Sequence, residues 1–157
     1  MGQYHVTVNL DKKEFLYPHK LGDGLKLREQ SYGQHGIGAA LILLLAASNG
    51  RGGGDFSAES SDVVGRWAGD RLAIVGDYAE PGDLAPEHKA AEIYRHTLGA
   101  EKRPTGGWKD ISAKVARAIA RENGVRYTGT GWKHAENADG SPKAGAKLVP
   151  DAVIRFG

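Results

Sequence analysis

The stretch "DVVGRWAGDRLAIVGDY" (62–78) decides the fold. Two apolar runs flank "AGD" (68–70), a small-polar break of the kind that turns a chain back on itself, and the spacing predicts a β-hairpin. A second candidate hairpin lies at the start of the chain. In "QYHVTVNL" (3–10) Tyr4, Val6, Val8 and Leu10 share one side of an extended chain, and His5, Thr7 and Asn9 share the other. That period of two marks a half-buried strand. "DKKE" (11–14) breaks it and "FLY" (15–17) resumes, giving a hairpin over 3–17.

Helical signals separate and follow these hairpins. "AALILLLAASNG" (39–50) is apolar on every side, so it predicts a buried helix over about 37–49, closed by Asn49 and a left-handed Gly50. "PEHKAAEIYRHTLG" (86–99) starts with a proline suited to a first turn and predicts a helix over 86–98. "KDISAKVARAIARENG" (109–124) repeats Ile111, Val115 and Ile119 every four residues. Asp110 or Ser112 stands ready to cap it, which predicts a helix over 110–123. "LKLRE" (25–29) fits a short strand or a turn of helix. "VRYTGTGW" (125–132) and "LVPDAVIRFG" (148–157) read as short strands, with Pro150 placing the second at a sheet edge. The polar segment 133–147 reads as a mobile loop. Strands come in hairpins and do not alternate with helices. The expected fold is therefore α+β, a single domain over 1–157 with a mostly antiparallel sheet built around the buried helix.

Composition narrows the function classes. The chain has 157 residues and no cysteine, so disulfide and thiolate chemistry are excluded. Its 23 glycines are about twice the ordinary share. The N-terminus lacks the pattern of a signal peptide, and the apolar run 39–47 is far shorter than the ~20 residues that span a bilayer. A soluble, cytoplasmic protein is expected, without membrane contact. Net charge is +2, but unevenly spread: residues 1–100 carry 10 Lys/Arg against 13 Asp/Glu, and residues 101–157 carry 11 against 6. A basic last third is an electrostatic pointer to an anionic partner.

Four features are candidates for chemistry. The first is "SNGRGGGDF" (48–56), where Arg51, Gly52, Gly53, Gly54 and Asp55 form a glycine-rich loop. Successive N–H groups in such a turn make a concave anion site, and Arg51 adds charge, so a nucleotide or phosphate is the ligand to expect. The loop lacks the Gly-Lys-Ser/Thr of a P-loop and leaves a helix where a P-loop enters one. The second is "GQHGIG" (33–38), at the start of the same helix, where a helix N-terminus favours anions. The helix predicted over about 37–49 would hold these two stretches about 20 Å apart, at ~1.5 Å rise per residue. The third is a basic stripe of Lys114, Arg117 and Arg121, continued by Arg126, with aromatic residues interleaved, a composition that suits nucleic acid. The fourth is the pair Trp108 and Trp132, the residue type that anchors protein partners.

Other chemistries find no motif. None of the six histidines forms an H-x-x-x-H or H-E-x-x-H pair, and His88 and His96 lie two helical turns apart. His19 with Asp23 is at most a fragment of a metal site, so no metal and no cofactor are expected. Asp55, Asp70 and Asp77 each follow a glycine, the pattern of a self-bonded turn. There is no G-x-S-x-G elbow. The expectation is a protein that is not an enzyme.

Several local stretches occur together in one order: "MGQY", "VNLDKKE", "PHKLGDGLKL", "SNGRGGGDF", "GRWAGDR", "VGDYAE" and "DIS". Over about residues 1–115 the chain resembles an uncharacterised family of small proteins encoded by actinobacterial phages and found in scattered bacteria. The resemblance implies no activity, and no catalytic or binding residue transfers from it. It implies a small accessory protein in the host cytoplasm that binds a host or phage protein. Residues after 125 share nothing with it.

Overall fold

The computed structural model describes residues 2–31, 36–123 and 127, and the backbone of 132–134 and 148–150. Strand β1 (His5–Asn9) and strand β2 (Glu14–Leu16) form the expected first hairpin, in the register Thr7↔Leu16 and Asn9↔Glu14. Asn9 shapes its turn: the Oδ1 accepts the N–H groups of Asp11 (2.9 Å) and Lys12 (2.8 Å). Strand β3 (Leu72–Gly76) lies antiparallel to β1 on its other side, from His5↔Gly76 to Asn9↔Leu72. The two-residue β4 (Lys109–Asp110) joins β2 in parallel. The order β3-β1-β2-β4 makes a mixed, mostly antiparallel sheet.

Helices cover both faces of this sheet. Helix α1 (Leu27–Gln30) is one turn beside the start of β1, where His5 donates its N–H to Leu25 O (2.8 Å). Helix α3 (Ala90–His96) packs Ala90 and Ile93 against Val6, Val8, Phe15 and Val75. Helix α2 (Ile37–Leu45) and helix α4 (Ser112–Glu122) pack with Leu16, Leu21, Val63 and Trp67. The face of β1 that alternation marks as polar is thus buried as well: Thr7 and Asn9 are as enclosed as Val6 and Val8. The described elements assemble as one α+β domain. Among the described residues no helix is long and apolar enough to cross a membrane.

The second hairpin is corrected. Only its latter half is a strand, and that strand pairs with β1. Residues 61–69 wind through successive turns, with the N–H groups of Val63 and Val64 both reaching Ser60 O (3.0 Å each). The reason lies at the end of α2. A helix leaves its last carbonyls without intrahelical partners. Gly65 N–H donates to Leu43 O (3.0 Å) and Trp67 N–H to Leu44 O (2.9 Å), so this segment closes α2. Gly65 is left-handed, at φ +77°, and a Cβ there would stand 2.6 Å from Ala46 O. Val63 and Trp67, four residues apart as on a helix face, both enter the core.

Three boundaries move for related reasons. Helix α2 ends at Leu45, with Ala46 extended; Gly50 is left-handed but lies in the following loop, so it is not the helix cap. Nor is α2 buried all round, since Ile42 is 78% exposed. Helix α3 begins at Ala90, because residues 85–88 form a separate turn closed by His88 N–H to Ala85 O (2.8 Å). Helix α4 keeps its apolar face but starts two residues later than expected, because Asp110 belongs to β4, and ends at Glu122; the Asp110 carboxylate accepts the N–H of Ser112 (2.9 Å) at its first turn. Strands β5 (Trp132–His134) and β6 (Leu148–Pro150) pair antiparallel. Residues 133 and 134 therefore belong to a strand; the rest of the expected loop, 135–147, lies outside the described residues.

Candidate functional site

The glycine-rich loop has the predicted geometry and an internal occupant. The Asp55 carboxylate accepts the N–H groups of Arg51 (2.8 Å) and Gly52 (3.1 Å). The N–H groups of Arg51, Gly52 and Gly50 hold the Asp55 carboxyl below the usual carboxylate range. Asn49 fastens the base of the loop, donating Nδ2–H to Phe56 O (2.9 Å) and accepting Phe56 N–H at Oδ1 (2.8 Å). A Cβ at Gly52, Gly53 or Gly54 would meet nothing within 4 Å, so close packing does not explain these glycines; Gly54 alone of the three has a positive φ, +89°.

The fold brings this loop to the end of α4. Gly54, Asp55, Phe56, Glu122 and Asn123 line a hollow of about 240 Å³. Its two carboxylates make it acidic, the wrong sign for phosphate. Sequence reasoning passed over Glu122. Its carboxylate accepts the Ser57 N–H (2.9 Å) and the hydroxyls of Ser57 and Ser60, and the two seryl hydroxyls and that N–H hold it below the ordinary glutamate range. The signal available was the serine run at 57, 60 and 61 opposite a helix carrying one glutamate.

The basic stripe is in place on α4, but its charges are engaged. Lys114 stands 3.5 Å from Asp62. Arg121 donates to Glu59 O (3.0 Å) and Ser60 Oγ (2.9 Å) and pairs with the Glu59 carboxylate at 3.4 Å. The Arg117 guanidinium lies over the Tyr127 ring, 5.6 Å from its centre. Arg126 lies outside the described residues. Trp108 is corrected as an exposed anchor: it is 8% exposed and packs in the core beneath α3. Trp132 is described only as backbone in β5. The two tryptophans are not brought together by any described contact.

The helix-start anion site is also filled from within. Asp23 is buried and accepts the Ile37 N–H (2.7 Å), the first of α2. Burial pushes the Asp23 carboxyl up to about 6. Gly36, at φ +77°, is required here because a Cβ would strike that carboxylate at 2.1 Å. Residues 33–35 lie outside the described residues. His19 stacks on Tyr17 instead of joining a metal set, and among the described residues no three His, Asp or Glu side chains assemble for a metal.

A larger open space than the hollow at the glycine loop lies elsewhere, between the loop 80–86 and α3. It is a groove of about 770 Å³ with a mainly apolar lining. Pro81, Leu84, Pro86, Ala90 and Ala91 supply the apolar surface; Glu80, Lys89, Glu92 and Arg95 place charges of both signs around it. His88 stands between this groove and a second hollow of about 340 Å³ bounded by Lys13, His96 and Trp108. Its Nε2 is enclosed and has no hydrogen-bond partner among the described residues. On the far side, His96 Nδ1 and Thr105 Oγ1 share a hydrogen bond at 2.8 Å. The only sequence sign of the groove is the pair of prolines around Leu84, in a stretch that reads as plain loop.

No family model, curated protein or solved structure matches this chain.

Proposed function

We propose that the protein works by non-catalytic binding, as a small phage-type accessory protein in the host cytoplasm, and that a protein partner enters the groove beside α3. The groove carries this reading. Its volume and apolar floor suit a short run of apolar side chains. A rim with Lys89 and Arg95 set against Glu80 and Glu92 gives a protein partner both signs of charge to register on. The resemblance to phage-encoded proteins supports the same class.

The two anion readings rank behind it for a physical reason. A nucleotide or phosphate at Arg51–Asp55 competes with Asp55 for the same N–H groups. A nucleic acid on Lys114, Arg117 and Arg121 competes with Asp62, Glu59 and the Tyr127 ring.

The test is a pull-down from host lysate with wild type and an Ala91→Arg variant, whose altered side chain is exposed at the groove. Loss of a retained partner in the variant, with unchanged circular dichroism, supports the groove. A partner held equally by both proteins removes the groove from the proposal, and no retained partner removes the function.

A further inference from the structure

We propose that strand β3 is a self-association edge, on which a second copy of this chain adds its own β3 antiparallel across a two-fold axis through Ile74. Among the described strands β3 has a neighbour on one side only. The hydrogen bonds fix which groups it leaves free. Leu10 N–H donates to Arg71 O (2.9 Å) and Asp77 N–H to Tyr4 O (3.0 Å), at the two ends of the β1–β3 pairing. In an antiparallel ladder, bonded pairs alternate. Ala73 and Val75 therefore spend their N–H and C=O groups on β1, as do the Arg71 carbonyl and the Asp77 N–H. Leu72 and Ile74 turn theirs to the open side; Gly76 faces the same way, but it is buried and its carbonyl accepts the Ala79 N–H (3.1 Å).

That edge lacks the usual protection. Sheet edges are blunted by charged residues, proline or a bulge. "LAIVG" (72–76) has no charge and no proline, and its register with β1 runs without a bulge. Ile74 is 51% exposed in its middle, and Tyr4 and Tyr78 are exposed near its ends.

The sequence of the edge is complementary to itself. Centring the axis on Ile74 pairs Leu72 with Gly76 of the other copy and Ile74 with Ile74. Ile74 then meets its counterpart as a bonded pair with every group free, while at the Leu72–Gly76 pairs the Gly76 carbonyl must share or release the Ala79 N–H. The same register sets Arg71 opposite Asp77 twice over. Arg71 already pairs with Asp11 at 2.9 Å, but its side chain is largely exposed and its guanidinium has further donors. Asp77 accepts the Tyr4 N–H at 2.9 Å through Oδ1. An arrangement in which one surface meets its own copy is the isologous contact of two-fold dimers. A peptide strand from an unrelated protein has no reason to carry this charge order.

The test uses the full-length protein and sedimentation velocity over a hundredfold range of concentration. Ile74 is exposed, so Ile74→Lys and Ile74→Glu leave the core intact, which circular dichroism checks. Wild type is expected to shift from monomer to dimer. Each variant alone, with like charges meeting at the axis, is expected to weaken dimerisation at least tenfold. An equimolar mixture of the two variants, with Lys facing Glu, is expected to recover it. A wild type that stays monomeric throughout overturns the proposal, even if it captures a strand-forming peptide. So does a variant that dimerises as well as wild type, or a mixture that does not recover. The groove reading stands or falls separately, because Ala91→Arg lies off this edge.

Discussion

Removing the arginine from the Glu14 site is expected to unfold the protein at a markedly lower denaturant concentration. Glu14 lies on β2 and is 4% exposed. Its carboxylate accepts Arg66 Nε–H (2.8 Å to Oε2), Arg66 Nη2–H (2.8 Å to Oε1) and the Trp67 indole N–H (3.0 Å). Burial pushes the Glu14 carboxyl up, but the hydrogen bonds from Arg66 and Trp67 and the Arg66 charge outweigh it and hold the group below its ordinary value. Arg66→Met keeps the aliphatic stem and removes every guanidinium bond. Stranding one member of a buried ion pair costs about 3–5 kcal/mol. The Arg66 side chain is 32% exposed, so water reaches the vacated space and the lower end applies, about 3 kcal/mol. For a domain this size that is a fall of roughly 6–12 °C in Tm. The sign of its pH dependence is fixed. In wild type the depressed folded pKa gives stability that is present above the unfolded value and lost as pH falls through the folded one. In the variant the Trp67 N–H still donates, but with the Arg66 bonds and charge gone burial, the largest effect on this group, dominates; the folded pKa rises, and stability is gained as pH falls. The gap between the two proteins therefore narrows between pH 7 and pH 4.5. Urea unfolding followed by tryptophan fluorescence measures it. A loss under about 1 kcal/mol at pH 7, or a gap that does not change with pH, would refute the reasoning.

Three further outcomes follow from the geometry. Gly65→Ala places a Cβ in a left-handed residue and against Ala46 O; a loss of about 1–3 kcal/mol in urea unfolding is expected, with α2 the first helix to lose amide protection in hydrogen exchange. Asp23, whose carboxyl is pushed by burial up to about 6 from its ordinary 3.8, makes the folded chain bind more protons than the unfolded one between those values, so stability falls as pH rises through that window; Asp23→Asn, which still accepts the Ile37 N–H, is expected to flatten that slope in a pH series of thermal melts. Asp55→Ala vacates the N–H groups of Arg51 and Gly52, so inorganic phosphate is expected to raise the Tm of the variant more than that of wild type, and equal shifts would count against an anion-shaped loop.

Where the sequence was legible, one physical signal dominated. The first hairpin carries a clean period of two, and α4 repeats an apolar residue every four positions; both elements stand where those periods place them. The segment 62–67 carries two signals at once. Its content of valine and tryptophan favours a strand, while Val63 and Trp67 stand at helical spacing. Which one wins is decided by a non-local fact, the unpaired carbonyls at the end of α2, and no local window contains them. Trp108 fails for the same reason. Its neighbours in sequence are glycine, lysine and aspartate, which suggest a surface, but its neighbours in space are Val6, Val8, Phe15 and Ile93. Alternation in β1 predicted which residues share a face, but not that the polar face would be covered too. That face is buried because Asn9 and Glu14 find partners there: Asp70 for the first, Arg66 and Trp67 for the second.

The two glycine stretches have one explanation. Each creates backbone N–H groups aimed at a negative charge, which is why each resembles a phosphate site. In each the charge comes from the chain itself: Asp23 for the stretch before α2, Asp55 for the loop after it. Composition cannot distinguish an anion site that waits for a ligand from one that closes a loop, because both need glycines and N–H groups in the same order. The distance to an internal carboxylate does distinguish them. The same holds for α4, where a basic stripe faces Asp62 and Glu59. Most of the charged features that drew attention in the sequence thus have an internal partner within hydrogen-bonding or ion-pairing reach. The groove beside α3 and the open edge of β3 differ in kind. One leaves apolar surface uncovered, and the other leaves Leu72 and Ile74 with their backbone groups turned outward. These two places still have something to gain from a second molecule, and for that reason the proposals rest on them.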